Sequence, residues 1–424
     1  MTEEFLYYLW GFRLLDSNLQ TTKGEPVTIL HPGERNNDGG PDFLNARIRI
    51  GDTLWAGNVE IHIDPDDWFL HNHHHDRSYE NVILHVVYHD GPVSESIKPL
   101  TLPTLILEGR FPQTIYSRYK YFLENPSWIP CQQLIRDLDP IHFSQWSTAL
   151  AVERLVERSY QWKSLLEANR FDWEETFYQG LTKAFGLRIN TLPFELLAKS
   201  LPLKVVLKHQ QSPFQLEALA FGQSGILNRC FMEEYPALLK KEYEFLSQKY
   251  GLRPIDPAQW KFLRLRPSGF PTVRIAQWAV FLQQSGAFFN LVLTCDDIGV
   301  IRRILTVQAP EYWDNHYIFE KQSPARPKFM GSAATDVVIL NFVIPFLFFY
   351  GEEKSIQTFR EISVKFLEQL PGETNSVINQ WELLGLPVMN ALQTQALIQL
   401  KSRYCDRKKC LSCRIGVKLM GREG

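Results

Sequence analysis

The chain has 424 residues, of which 45% are apolar and 22% are charged, the composition of an ordinary globular protein. The formal net charge of −2 argues against a uniformly basic nucleic-acid-binding protein, and six cysteines in a chain of this length favour a reducing cytoplasm over a disulfide framework. The length predicts two or three domains.

The sequence predicts no contact with a membrane. Its most apolar stretch, DVVILNFVIPFLFFYG, is short for a span and is interrupted by Asn341 and Pro345, so we interpret it as a buried helix. Acidic residues in the opening MTEEFLYYLWGF argue against a secretory signal. We therefore expect a cytoplasmic protein.

Residues 1–130 show the pattern of a mixed α/β domain. TEEFLYYLWGFRLL, with Thr2 as N-cap, predicts a helix, and PVTIL, FLNARIRI and TLWAGNVEIHI predict three strands. In FLNARIRI, alternation places Leu44, Ala46, Ile48 and Ile50 on one face. DWFLHNHHHDRSY predicts a short helix or a loop, and NVILHVVY predicts a buried strand. The order αβββαβ indicates a layered domain with a central sheet.

From about Asp139 onward, long amphipathic segments bounded by glycine or proline predict helices. We place boundaries that give an α/β domain at 1–130, a helical domain at 131–250, and a helical domain with a C-terminal cysteine cluster at 251–424. The predicted fold class is α+β, with an N-terminal mixed sheet followed by a mostly α-helical region.

Two acidic side chains in the first domain suggest a cation site. Glu60 and His62 share one face of their predicted strand, and Asp42 precedes the neighbouring strand. If the strands pair, the carboxylates of Asp42 and Glu60 and the carbonyl of Ile61 form an oxygen site suited to Mg²⁺ or Mn²⁺. Such a cation can activate a water molecule and stabilise charge on a phosphate oxygen. His62 would then contact the same phosphate or water. The alternative is a solvated sheet face.

These residues resemble a known superfamily. GPDF, a following strand and then Glu-Ile-His look like the PD-(D/E)XK nuclease-like superfamily, whose core has the same αβββαβ order. The resemblance implies that Asp42 and Glu60 hold the metal and that His62 takes the place of a lysine. Because histidine titrates near neutral pH whereas lysine stays charged, the positive charge at position 62 would depend on pH. The protein could therefore be a degenerate member of the superfamily that does not cleave nucleic acid. The whole chain is also similar to an uncharacterised bacterial domain-of-unknown-function family, DUF2851.

The histidine run HNHHHD supports a different site. Histidines in and near it, together with Glu60 and His62, are potential ligands of a transition metal such as zinc or iron. Consecutive histidines point in different directions, so only two of those from His71 to His75 can converge. The histidines in question are His71, His73, His74, His75 and His85.

The cysteines near the end of the chain predict a second metal site. Cys405, Cys410 and Cys413 have the spacing C-x4-C-x2-C, which suits Zn²⁺ or an iron–sulfur cluster. A fourth ligand must come from elsewhere, and Cys131, Cys230 and Cys295 are the candidates. Resemblance to iron–sulfur staples in helicase-associated nucleases of the same superfamily favours Cys131. The alternative is three reduced thiols in a basic tail.

Two groups of basic residues are candidates for nucleic-acid binding. The first mixes cations with Trp260, Phe262 and Phe270, a combination that suits backbone contact and base stacking. The second lies in the cysteine tail. We assign Arg274 to the interior of a helix instead. The candidate cations are Lys261, Arg264, Arg266, Arg407, Lys408 and Lys409.

Three functions are consistent with these patterns. The first is a metal-dependent phosphodiesterase or nuclease-like protein acting on nucleic acid. The second is a non-catalytic nucleic-acid-binding or scaffold protein with the same fold. The third is a histidine-rich metalloenzyme acting on a small molecule.

Overall fold

The structure is a computed structural model that describes residues 1–36, 38–91, 102–263, 265–266, 269–386 and 388–421. The chain forms two compact units, which we call the sheet unit (Met1–His142 with Lys401–Gly424) and the helical unit (Phe143–Leu400). The sequence predicts three consecutive domains, whereas this division joins the end of the chain to its beginning.

The sheet unit is an α+β structure, as the sequence predicts. Its strands are β1 (Leu19–Gln20), β2 (Pro26–His31), β3 (Glu34–Arg35), β4 (Phe43–Ile50), β5 (Thr53–His62), β6 (Val82–Val87) and β7 (Thr104–Ile106). Its helices are α1 (Glu3–Gly11), α2 (Asp67–Leu70), α3 (Gln113–Glu124) and, near the end of the chain, Arg414–Met420, which is numbered α18 below.

The strands form one mixed sheet in the order β1-β2-β4-β5-β6-β7, with β3 paired to β4. The pairs β2–β4 and β4–β5 are antiparallel, and β5–β6 and β6–β7 are parallel. A further bridge joins Thr21 to Leu105, so the first and last strands of this path also meet. All six residues of β6 are buried.

Local sequence signals explain how this unit begins. The Thr2 hydroxyl accepts a hydrogen bond from the Phe5 amide at 3.4 Å and caps α1, as predicted. The predicted apolar face of β4 is wrong at one position, because Phe43 is buried and Leu44 is only half-buried. Asn45 has φ 59°, and the pairing with β5 shifts register there, so the alternation of faces is interrupted.

The helical unit contains fourteen α-helices and a two-stranded hairpin within its described residues. The helices are α4 (Pro140–Ala168), α5 (Trp173–Phe185), α6 (Thr191–Ser200), α7 (Leu203–His209), α8 (Pro213–Gln223), α9 (Glu234–Tyr250), α10 (Pro271–Gln284), α11 (Phe288–Thr294), α12 (Ile298–Leu305), α13 (Ser332–Val338), α14 (Ile344–Lys354), α15 (Gln357–Gln369), α16 (Ser376–Leu383) and α17 (Ala391–Gln399). The hairpin strands are β8 (His316–Ile318) and β9 (Lys321–Gln322).

One continuous helical run, Ser332–Lys354, is long and apolar enough to cross a membrane by length and composition alone. Of its most apolar window, 67% is buried inside the protein, where Phe342 and Phe346 pack against Trp162. The run is therefore a core helix of the helical unit, as its sequence predicts. Arg274, also predicted to be internal, is buried in α10 and donates a hydrogen bond to Gln277 at 2.9 Å.

Candidate metal centre

Two polar side chains, Glu60 and His62, are buried at the C-terminal end of β5. The parallel register between β5 and β6 places His85, which is also buried, opposite Glu60. Nδ1 of His62 lies 2.9 Å from Nε2 of His85. Since both faces of β5 are covered here, each polar group needs either a protein partner or a ligand.

The segment that follows β5 brings further histidines to this place. It consists of α2 and two turns of 3-10 helix, His73–His75 and Arg77–Tyr79. Asn72, between α2 and the first turn, has φ 62°, a left-handed conformation that asparagine adopts more readily than most residues. This turn aims His71 and His73 at the ring of His62, with ring centroids 5.1 and 5.2 Å away.

Three imidazoles and one carboxylate converge in this cluster. Glu60 Oε1 lies 3.4 Å from His62 Nε2 and 3.2 Å from His73 Nε2. Ligand atoms of His62, His71 and His73 all lie within 4.8 Å of one another. The Nε2 atoms of His62 and His73 are buried and make no hydrogen bond of acceptable geometry. We call these four residues the histidine–glutamate cluster, and its arrangement fits a divalent metal ion.

Burial sets the protonation of the cluster. It raises the pKa of Glu60, and the nearby charge of Asp42 adds to that rise. Burial, reinforced by neighbouring imidazoles, lowers the pKa of His73 to about 4 and that of His85 to about 3. These two imidazoles are therefore neutral at pH 7, and neutral imidazole is the form that binds metal ions.

Asp42 lies beside Glu60, as predicted, because β4 and β5 pair just beyond it. Its backbone amide donates to Glu60 Oε2 at 3.0 Å. Its carboxylate accepts from the Ile61 amide at 3.0 Å through Oδ2 and from Arg35 at 2.9 Å through Oδ1. The Tyr7 hydroxyl donates to Glu3 at 3.2 Å, and burial together with the nearby charge of Asp42 raises the pKa of Tyr7. Asp42 is thus held by protein donors, whereas Glu60 faces the imidazoles.

Within the histidine run, the structure separates cluster members from bystanders. His74 and His75 are exposed, and their rings contact each other, tilted by 44° with centroids 3.9 Å apart. Sequence reasoning did not assign Trp68 or Tyr79, although both flank the run. The Trp68 ring lies 5.5 Å from that of His73 and the Tyr79 ring 3.9 Å, so these aromatics fix its orientation.

The basic residues predicted from the Trp260 region belong to the helical unit. Lys261 and Arg266 are exposed, and Arg264 lies outside the described residues. The stacking role predicted for Trp260 is wrong, because its ring is buried and its indole nitrogen donates to the Ser224 carbonyl at 2.8 Å.

The basic residues of the tail lie in the sheet unit. Arg407, Lys408 and Lys409 are exposed, and the last two line a cavity of about 440 Å³. Tyr7 and Arg35 line the same cavity, and Arg35 also donates a hydrogen bond to Asp42. Arg35 therefore joins this cavity to Asp42, although neither Asp42 nor any residue of the histidine–glutamate cluster lines it. Glu4 contributes one carboxylate to its wall.

The four cysteines predicted to share a site are also in the sheet unit. Cys131, Cys410 and Cys413 are buried, Cys405 is half-buried, and none forms a disulfide. Cys230 is exposed and belongs to the helical unit.

Residues 3–376 match the family described as "Protein of unknown function (DUF2851)". No curated protein and no solved structure matches the chain. None of these findings supports the resemblance to PD-(D/E)XK nucleases, which stays a hypothesis.

Proposed function

The chain belongs to the DUF2851 family, and from the geometry of the histidine–glutamate cluster we propose that it is a metal-dependent hydrolase of phosphodiester bonds in nucleic acid. One observation carries the proposal. Two buried imidazole nitrogens, on His62 and His73, lack hydrogen bonds and face one oxygen of Glu60. An unsatisfied buried polar atom costs about 1–3 kcal/mol, and a bound cation would remove that cost.

The donor set decides which ion fits. Imidazole nitrogens suit Zn²⁺ or Fe²⁺, Mn²⁺ favours oxygen ligands such as the Glu60 carboxylate, and Mg²⁺ prefers oxygen ligands and retains its waters. The sequence predicts Mg²⁺ or Mn²⁺ from Asp42 and Glu60. Mg²⁺ fits a set of imidazole donors poorly, so the candidate ions for this cluster are Mn²⁺ and Zn²⁺. Such an ion supplies Lewis acidity and lowers the pKa of bound water.

His85 positions His62 for this task. If Nε2 of His62 keeps its lone pair for the ion, the ring proton is on Nδ1, which then donates to Nε2 of His85. The lowered pKa of His85 keeps that acceptor unprotonated. The pair thus fixes both the tautomer and the plane of the His62 ring.

Asp42 and Tyr79 complete the polar surroundings. Asp42 holds Glu60 through its backbone amide and presents a carboxylate, oriented by Arg35, that can accept a proton from a substrate water. Burial and the charges of Glu60 and Asp42 raise the pKa of Tyr79 to about 12, so its hydroxyl stays a hydrogen-bond donor at neutral pH.

The cavity beside Asp42 supports an anionic substrate. Arg35, Lys408 and Lys409 line it and provide cations for a phosphate backbone, and Tyr7 offers an aromatic ring at its wall. The Arg35 guanidinium lies 3.8 Å from the Tyr7 ring centroid, which holds its side chain in place. The PD-(D/E)XK nuclease-like superfamily, which the sequence resembles, has the same order of site residues. Here Asp42 comes first, and Glu60 and His62 follow on the antiparallel neighbouring strand.

The test is cleavage of labelled single- and double-stranded DNA and RNA by metal-stripped protein resupplied with Mn²⁺, Zn²⁺ or Mg²⁺. We expect Mn²⁺ or Zn²⁺ to restore cleavage. His62→Ala and Glu60→Gln should each lower the rate at least about 1000-fold, which corresponds to about 4 kcal/mol. His209→Ala, which changes a buried histidine of the helical unit, is the matched control and should retain the rate.

Two results would contradict the proposal. Cleavage that persists in His62→Ala would place the chemistry elsewhere. Stoichiometric metal binding without cleavage of any nucleic acid would favour the non-catalytic scaffold or the second candidate described next.

The second candidate is a metalloenzyme that acts on a small anionic molecule. Its support is the cavity volume of about 440 Å³, which falls within the range of about 300–1,000 Å³ typical of small-molecule pockets. It predicts metal-dependent hydrolysis of small phosphodiesters such as bis(4-nitrophenyl) phosphate, without cleavage of polymeric substrates.

A further inference from the structure

Four cysteines of the sheet unit are grouped although they are far apart in sequence. Cys131 follows α3, and Cys405 ends a short π-helical turn, Leu400–Cys405. Cys410 lies in the turn that follows, and Cys413 is the N-cap of α18. The sequence leaves three candidates for the fourth ligand, and of these Cys131 is buried in the same unit as the other three cysteines and interacts electrostatically with them.

Several contacts hold the tail against the segment that carries Cys131. The Arg118 guanidinium of α3 donates to the Met420 carbonyl of α18 at 3.1 Å. The Lys408 ammonium donates to the carbonyl of Leu123, at the end of α3. The Lys401 ammonium lies 5.0 Å from the ring centroid of Trp128. The cysteines are thus placed together by contacts that do not involve sulfur.

The turn around Cys410 and Cys413 is shaped for closely spaced thiolates. The Cys413 amide donates to the Cys410 carbonyl at 3.3 Å, and the Cys413 sulfur accepts from the Gly416 amide at 3.4 Å. A Cβ at position 416 would lie 2.4 Å from the Cys410 carbonyl oxygen, so only glycine permits this approach. Amide donors to sulfur stabilise metal-bound thiolates in particular.

The sulfurs also interact electrostatically. Burial raises the pKa of Cys410 to about 12 and that of Cys413 to about 11, with a like-charge contribution from Cys413 to the rise at Cys410. For Cys131 and Cys405, burial is again the main cause of a raised pKa, and ionisation of the other cysteines raises it further. These mutual contributions indicate that the four sulfurs lie near one another.

We propose that Cys131, Cys405, Cys410 and Cys413 are the four ligands of a thiolate-bound metal centre, either a zinc ion or an iron–sulfur cluster. Both take four cysteine thiolates, and both release four thiol protons when they bind. The centre is separate from the histidine–glutamate cluster in its residues and in its ligand chemistry. Its role is structural, because it ties residues 401–421 to the segment after α3.

The test is the metal content of protein purified anaerobically, with zinc, iron and acid-labile sulfide measured per chain. The background variant is His62→Ala with His73→Ala, so that metal at the histidine–glutamate cluster does not contribute. About one zinc per chain in colourless protein indicates a zinc ion, and about four irons with sulfide and a brown colour indicate a [4Fe–4S] cluster. Either result supports the proposal.

Cys131→Ser in the same background should lose most of this metal, and Cys230→Ser is the matched control that should keep it. If Cys131→Ser does not fold, titration of the background protein with an organomercurial gives the same information. Release of one zinc per about four sulfurs modified, or loss of the iron chromophore, is expected. Protein with neither zinc nor iron, or metal retained at full level in soluble Cys131→Ser, would overturn the proposal.

Discussion

Two buried histidines, His209 in the helical unit and His62 in the sheet unit, differ in how their ring nitrogens are used. In the helical unit, His209 Nδ1 lies 2.7 Å from Gln215 Oε1, and its Nε2 lies 2.9 Å from the Tyr250 hydroxyl. In the sheet unit, His62 is bonded through Nδ1 to His85, but its Nε2 makes no hydrogen bond.

The difference shows why burial alone does not identify a ligand. His209 is fully satisfied, so its burial is explained by packing and hydrogen bonding. His62 has a buried Nε2 atom that faces, like that of His73, a carboxylate oxygen of Glu60. The mark of a binding site is therefore the convergence of unsatisfied atoms, and the predictions below test this distinction.

The largest expected effect comes from removing a ligand. His73→Ala should weaken binding of Mn²⁺ or Zn²⁺ at the cluster about 1000-fold, because one nitrogen donor is lost. His209→Ala should leave that affinity unchanged and instead lower the free energy of unfolding by about 1–3 kcal/mol, because Gln215 and Tyr250 lose their partner. Isothermal titration calorimetry and urea unfolding measure the two quantities. Equal metal affinities in the two variants would show that the unsatisfied ring nitrogen of His73 does not mark it as a ligand.

A second prediction perturbs the helical unit alone. Gly222 in α8 packs against Tyr243, and a Cβ there would lie 1.9 Å from the ring. Gly222→Ala should therefore lower the free energy of unfolding by about 3 kcal/mol, at the upper end of the usual cost of overpacking. Its metal affinity, measured as above, should match the wild-type value. A loss of metal in this variant would show that the cluster depends on the helical unit.

A smaller effect is expected from the residue that orients His62. His85→Leu removes the acceptor for the Nδ1 proton and should weaken metal binding about 10- to 100-fold. His85→Gln, which retains an acceptor oxygen, should stay closer to wild type. Metal titration of both variants is the measurement. Equal losses in the two would indicate a packing role for His85 in place of a positioning role.

The last prediction concerns a buried carboxylate that has a protein partner. Burial raises the pKa of Glu217 to about 7, and the Tyr235 hydroxyl donates to it. Between pH 4.5 and 7 the folded state binds more protons than the unfolded state, so the free energy of unfolding should fall as pH rises. One group contributes at most about 1.4 kcal/mol per pH unit.

Glu217→Gln should flatten this pH dependence, as urea unfolding at pH 5 and pH 8 would detect. If the free energy of unfolding of that variant still falls with pH at the wild-type slope, the pH dependence comes from other groups.

Part of the site could be predicted from the sequence. Alternation along β5 places Glu60 and His62 on one face, and antiparallel pairing with β4 brings Asp42 beside them. The selection of His73 over His74 could not be predicted, because it depends on the left-handed turn at Asn72 and on the 3-10 geometry that follows. Four neighbouring histidines carry no periodicity that distinguishes them.

Long-range contacts could likewise not be predicted from the sequence. The pairing of Cys131 with the tail depends on contacts of α3 with residues about three hundred positions later, such as Arg118 with Met420. The burial of Trp260 depends on an acceptor, Ser224, contributed by another segment of the helical unit. Local pattern predicts elements, but the partner of a buried polar group is chosen by the tertiary fold.

The central claim is that the histidine–glutamate cluster holds a metal ion, and the most direct test is an anomalous difference map from crystals grown with Mn²⁺ or Zn²⁺. We predict a peak about 2.0–2.2 Å from the Nε2 atoms of His62 and His73 and from an oxygen of Glu60. A map with no peak there, in which these three groups are hydrogen-bonded to one another or to water, would contradict the account.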